Sequence, residues 1–108
     1  MKLIIEPQES SLTASYSASG NILTVSMGGV SDTFDFGTED GVFTEFESPE
    51  LPVCPVQRAA MADGVVTAAV IGFYTPTPPE KADDETDQDF KVRIDEWTAS
   101  KQVREVDI

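Results

Sequence analysis

Residues 56 to 71 read Val56-Gln57-Arg58-Ala59-Ala60-Met61-Ala62-Asp63-Gly64-Val65-Val66-Thr67-Ala68-Ala69-Val70-Ile71. Asp-Gly is the dipeptide that best supplies the two positive φ angles of a type I′ turn, so the stretch reads as a β-hairpin folded about Asp63-Gly64. Pairing outward, Ala62 faces Val65, Met61 faces Val66, Ala59 faces Ala68 and Val56 faces Ile71. Both faces come out mainly apolar. Ala59, Met61, Val66, Ala68 and Val70 share one, and Val56, Ala60, Ala62, Val65 and Ile71 share the other. A hairpin covered on both sides belongs in the middle of a sandwich or small barrel. Alanine and methionine also favour helix, so a helical turn over Gln57–Ala62 competes with the first strand of this hairpin.

Upstream, Ser11 to Met27 alternates apolar and polar residues on both sides of Gly20-Asn21, a second hairpin signature. With Gly20 first, the turn suits type II′ and sets Ala18 opposite Leu23, Tyr16 opposite Val25 and Ala14 opposite Met27. A turn on Ser19-Gly20 shifts the pairing by two and keeps the same apolar face, so alternation sets the face and turn chemistry sets the register. Gly28-Gly29-Val30-Ser31-Asp32 is expected as a loop, followed by a short strand Thr33–Phe36 that Gly37 closes. Glu39-Asp40-Gly41 reads as a turn, and Val42–Phe46 alternates, with Phe43 opposed to Val42, Thr44 and Phe46. Pro49, Pro52 and Pro55 keep residues 48 to 55 in an extended connection. Glu6 and Pro7 interrupt the apolar run that a signal peptide needs, so Met1–Pro7 reads as a first strand.

Downstream, Pro76, Pro78 and Pro79 precede six acids, Glu80, Asp83, Asp84, Glu85, Asp87 and Asp89, against the single Lys81. Residues 76 to 89 are therefore expected as a flexible acidic loop with no structural or metal role. Phe90 to Trp97 alternates again and reads as a last strand, while Glu96–Ile108 allows a short C-terminal helix or an added strand. The expectation is one domain over residues 1 to 108, all-β or mainly β, a small sandwich or barrel-like fold of six to eight short strands built from antiparallel hairpins.

Composition narrows the chemistry. The 108 residues hold 20 acids against 7 bases, a formal charge of -13, with no histidine and one cysteine. Ser-His-Asp and Cys-His catalysis, the usual zinc sites and an internal disulfide are excluded. Leu3 through Gln57 carries nine acids and no lysine or arginine, which argues against clamping nucleic acid or an anionic membrane. The longest apolar run, Val65–Phe73, is broken by Thr67 and Gly72, so no segment is expected to span a membrane. The lone Cys54 reads as a small apolar residue in a product that stays in the cytoplasm.

The run Asp83–Asp89 imitates an EF-hand loop but puts Gln88 and Ile94 where that loop needs glycine and glutamate. Carboxylate pairs such as Asp32 with Asp35, or Glu45 with Glu47, have the residue type of a glycosidase, yet spacing along a strand does not set them across a cleft. Phe34, Phe36, Phe43, Phe46, Phe73 and Tyr74 lack the basic neighbours of a base-stacking surface and read as core. No catalytic, cofactor-binding or metal-binding residue emerges, and the protein is expected not to be an enzyme.

Gly20-Asn21-Ile22-Leu23-Thr24-Val25, Asp32-Thr33-Phe34-Asp35-Phe36, Asp40-Gly41, Leu51-Pro52 and the hairpin about Asp63-Gly64 follow in that order. This passage, from about residue 20 to residue 74, resembles small proteins of unknown function from phage and prophage tail modules. Those carry a "GD-x-LT-ING-x-x-FDF-SxLPDG" passage and a "V-x-DGVLHLTL" hairpin. The present chain departs from the pattern in the Gly28–Ser31 insertion, in Gly37-Thr38-Glu39, and in Thr67–Val70, which lacks the family's histidine. The resemblance implies a phage origin and an accessory role in virion or tail assembly, with other phage tail or assembly proteins as partners. It places the protein in the cytoplasm of the host bacterium, with incorporation in the virion allowed. The acidic charge supports a competing expectation, a DNA-mimicking inhibitor of a host nucleic-acid enzyme, although six of the acids fall in the proline-flanked segment rather than on a rigid strand.

Overall fold

A computed structural model describes residues 1–108, and its strands build two sheets that stack as a sandwich, with no closed barrel. The strands are β1 (Lys2–Glu9), β2 (Ser15–Ser19), β3 (Ile22–Met27), β4 (Val30–Asp35), β5 (Gly41–Phe43), β6 (Val56–Ala62), β7 (Val65–Tyr74) and β8 (Arg104–Asp107). One helix, α1 (Asp87–Ser100), separates β7 from β8. The five-stranded sheet has the order β5-β6-β7-β1-β8 and the three-stranded sheet the order β2-β3-β4.

Turn chemistry places the hairpins. Gly20 takes φ +60 while Asn21 does not, as a II′ turn requires, and the expected pairs Tyr16–Val25 and Ala18–Leu23 are present. Asp63 and Gly64 take φ 52 and 76, the two left-handed positions of a I′ turn, and Ala62–Val65, Met61–Val66 and Ala59–Ala68 pair as expected. Asp40 fixes this tip, its carboxylate accepting the backbone N–H of Asp63 at 3.0 Å and of Gly64 at 3.2 Å. Residues 56 to 62 are strand, so the competing helical turn does not form.

Three expectations of local structure need correction. Gly28–Asp32 is not a loop: Gly28 and Gly29, at φ +57 and +83, complete a two-residue turn by themselves, and β4 starts at Val30. Val56 pairs with Val70 rather than Ile71, because a bulge at Gln57 absorbs one residue and keeps Val56 pointing inward. Phe90–Trp97 is helix, and the last strand lies further on, at Arg104–Asp107. Phe90, Ile94 and Trp97 satisfy helical spacing as well as Phe90, Val92 and Ile94 satisfy alternation, and Thr86 decides between them by capping the helix through Asp89 N. The mainly β fold built from antiparallel hairpins is as expected, and one parallel pairing, β1 along β7, joins the hairpin β6-β7 to the N-terminal strand.

The core lies between the sheets. Leu3 and Ile5 of β1, Leu23, Val25 and Met27 of β3, Phe34 and Phe36, Ala59 and Met61 of β6, and Val66, Ala68 and Val70 of β7 are all buried in one cluster. Phe43 and Phe46 stand edge-on to Phe36, at centroid distances of 5.5 and 6.0 Å, and close one end of it. Tyr16 ties the sheets together by donating its hydroxyl to the Ile71 carbonyl, and burial, with Cys54 nearby, raises its pKa. Helix α1 stands apart. It buries no residue and packs chiefly on the end of β7, so the radius of gyration is 16.0 Å where a compact chain of this length has about 13 Å.

Candidate interaction surfaces

The register of the five-stranded sheet lays its outward-facing residues in rows. Val42, Ala60, Thr67, Lys2 and Asp107 stand opposite one another across β5, β6, β7, β1 and β8. The next row is Arg58, Ala69, Ile4 and Glu105, and beyond it Ile71 stands beside Glu6. No element covers these rows. Val42 is 76% exposed and Val65 57%, and Ala60 and Ala62 are exposed. The expectation of a hairpin covered on both sides therefore fails for the second face. The hairpin is central in strand order, and only its inner face meets another sheet.

Ala69 and Ile71 are the two outward residues of β7 that are buried. Arg58 on one neighbouring strand and Glu6 on the other meet at 2.8 Å across β7, so the guanidinium stem and the carboxylate shelter the strand between them. A shallow groove of about 240 Å³ follows, lined by Ile4, Val42, Arg58, Ala60, Thr67 and Ala69 among others.

The outer face of the three-stranded sheet differs in kind. Ser15, Ser26 and Ser31 form one row and Ser17, Thr24 and Thr33 the next, and Ser26 and Ser31 share a hydrogen bond of 2.8 Å.

The second exposed feature is α1 with the segment that leads to it. Phe90, Ile94 and Trp97 are half-buried along one stripe, and Trp97 donates its indole N–H to the Thr75 carbonyl at 2.9 Å. Arg93 reaches the Glu80 carbonyl and pairs with Glu85 at 2.7 Å, while Lys81 pairs with Asp87. That hydrogen bond from Arg93 lowers the Glu85 pKa. The segment expected as a loop without structural role thus supplies the helix cap Thr86 and two ion pairs, and its residues 87 to 89 are the first helical turn. Asp87 and Asp89 sit there in a favourable position against the helix dipole.

The other residues weighed from sequence serve local structure. Asp32 accepts from Thr33 N at 2.8 Å and from the Ser48 hydroxyl at 2.6 Å, and Asp35 accepts from Gly37 N at 2.8 Å. Cys54 is half-buried with its thiol directed at the Val56 carbonyl at 3.7 Å. Phe34 and Phe36 are core, and Phe43, Phe46 and Phe73 are partly buried against the core cluster. No helix is long and apolar enough to cross a membrane.

The sequence reading misses the bare outer face because alternation reports which residues share a side and not whether that side is covered. The available signal was Val42, whose partner Ala60 is fixed only by the tertiary pairing of β5 with β6. No protein-family model matches the chain, nor does any curated protein or solved structure.

Proposed function

We propose that this is a non-enzymatic accessory or assembly protein of a phage tail module that works through protein–protein contacts. The observation that carries the reading is the β5–β7 end of the outer face of the five-stranded sheet, where Val42, Ala60, Ala62 and Val65 are exposed in a molecule whose other outer face is hydroxyl-lined. A solvated antiparallel sheet normally presents polar residues on its open side, and contiguous exposed apolar surface marks a contact site. The likeness of residues 20 to 74 to tail-module proteins supplies the setting, and the projecting helix α1 with its half-exposed Phe90, Ile94 and Trp97 adds a second surface of contact character. The test is a pull-down with the tagged protein against each product of the neighbouring tail genes. Capture of at least one, weakened by Ala60→Glu on the outer face, is the expected result. Recovery of none would sink the reading.

A further inference from the structure

We propose that residues 75 to 108 form a strap, hinged at the end of β7 and clasped to the sandwich by β8, that opens as a unit and bares the edge of β1 while the two sheets stay folded. Burial, bonding and charge each divide the molecule at this point.

None of residues 72 to 108 is buried, whereas the strands before them hold the whole core cluster. The side-chain hydrogen bonds and ion pairs of α1 and its leading segment turn back on themselves. Trp97 donates to the Thr75 carbonyl, Arg93 reaches Glu80 and Glu85, Lys81 pairs with Asp87, and Lys101 lies over the Trp97 ring at 3.8 Å. These contacts shape the strap without fastening it. Fastening falls to β8, only four residues long, which pairs antiparallel with residues 2 to 5 of β1 and is prolonged by a bond from Ile108 N to the Met1 carbonyl at 2.9 Å. Val106 is the one apolar side chain of the strap packed against the core cluster. Arg104 lies over Gly72, where a β-carbon would stand 3.5 Å from its Nη2. The remaining contact with the sandwich is chiefly that of α1 on the end of β7.

Residues 75 to 108 carry ten acids against five bases, and residues 1 to 74 carry ten against two. Both parts are negative, so they repel each other across a short clasp, and salt favours the closed form by screening that repulsion. Once β8 lets go, α1 has no buried residue to hold it, and a 14-residue helix is marginal in water by itself. β1 keeps its full pairing with β7 on the other side, so the sheet survives with one strand fewer. Its freed edge then offers N–H and C=O groups to another extended segment, and β8 in the closed form is the cover over that edge.

Hydrogen exchange of the whole chain reads the opening directly. Amides of α1 and β8 should show protection about 100-fold or more below those of β3 and β7, and the protection of β8 should rise between about 0.05 and about 0.5 M salt. Trp97 is the single tryptophan and lies in the strap, so its emission should shift to the red at lower urea than the strand circular dichroism is lost. Val106→Asp sets a charge against the core at the clasp, and should leave α1 and β8 with no more than about 10-fold protection while β3 and β7 keep about 100-fold or more. Equal protection of strap and sandwich in the wild type, or coincident Trp97 and strand transitions, overturns the proposal. So does a Val106→Asp chain that loses protection in β3 and β7 together with β8.

Discussion

The two sheets are alike on the inside and opposite on the outside. Inward, both present aliphatic and aromatic side chains, Leu23, Val25 and Phe34 from one and Leu3, Ala68 and Val70 from the other, and all are buried. Outward, the three-stranded sheet shows Ser17, Thr24 and Thr33, while the five-stranded sheet shows Val42, Ala60, Thr67, Lys2 and Asp107 in one row. The hydroxyl face is what water demands of an open sheet, and it was written by strict alternation in β2 and β3. The other face departs from that rule at its β5–β7 end, where Val42, Ala60, Ala62 and Val65 are exposed.

Inner-face truncation should have the largest effect. Leu23→Ala removes a fully buried side chain and should cost about 3 kcal/mol in urea unfolding, whereas Ser17→Ala on the outward side of the same hairpin should change stability by no more than about 0.5 kcal/mol. Comparable losses at the two positions would mean that the hydroxyl face is packed and that the contrast between faces is false.

Next comes Gly72, which faces inward from β7 beside Ile5. A Cβ there collides with Ile5 Cγ2, so Gly72→Ala should cost about 1–3 kcal/mol. Ile5→Leu removes the offending branch, and a double-mutant cycle should return a favourable coupling of about 1 kcal/mol. Additive losses would show that β1 and β7 separate to accommodate the methyl group. Smaller still is Thr24→Val, which puts an apolar residue on the hydroxyl face: stability should stay within about 0.5 kcal/mol of wild type, with β propensity offsetting lost hydration. A large loss in thermal melting would reveal a role for the hydroxyl rows beyond solvation.

The smallest effect lies outside both faces, in the attachment of α1. The Arg93 hydrogen bond lowers the Glu85 pKa, so the folded protein holds this carboxylate ionised more firmly than the unfolded chain does. The contribution is whole above the ordinary glutamate range and is lost as pH falls through the lowered value. Acid titration followed by far-ultraviolet circular dichroism should show a slight loss of helix signal there, absent in Glu85→Gln, while the sandwich signal is unchanged. A helix indifferent to pH in both proteins would mean that the pair does not anchor α1.

The residues that spoke plainly in the sequence were those whose constraint is local. Asp63-Gly64 and Gly20-Asn21 carry their own backbone geometry, so the turns, their types and the register around them were legible, as was the mainly β class. Gly28-Gly29 carries the same information and was read as a longer loop, because two glycines permit a tight turn without demanding one. Phe90–Trp97 fits strand and helix periods equally, and the competition was settled by the Thr86 cap and by Trp97 and Arg93 binding the segment before them. The parallel union of β1 with β7 and the addition of β5 to β6 join residues far apart in the chain, and no local propensity specifies them. Those long-range pairings decide which side of Ala60, Thr67 and Ile4 meets solvent. Alternation assigns residues to faces by backbone pleat alone, whereas the covering of a face depends on where the rest of the chain is placed, and that belongs to the tertiary structure.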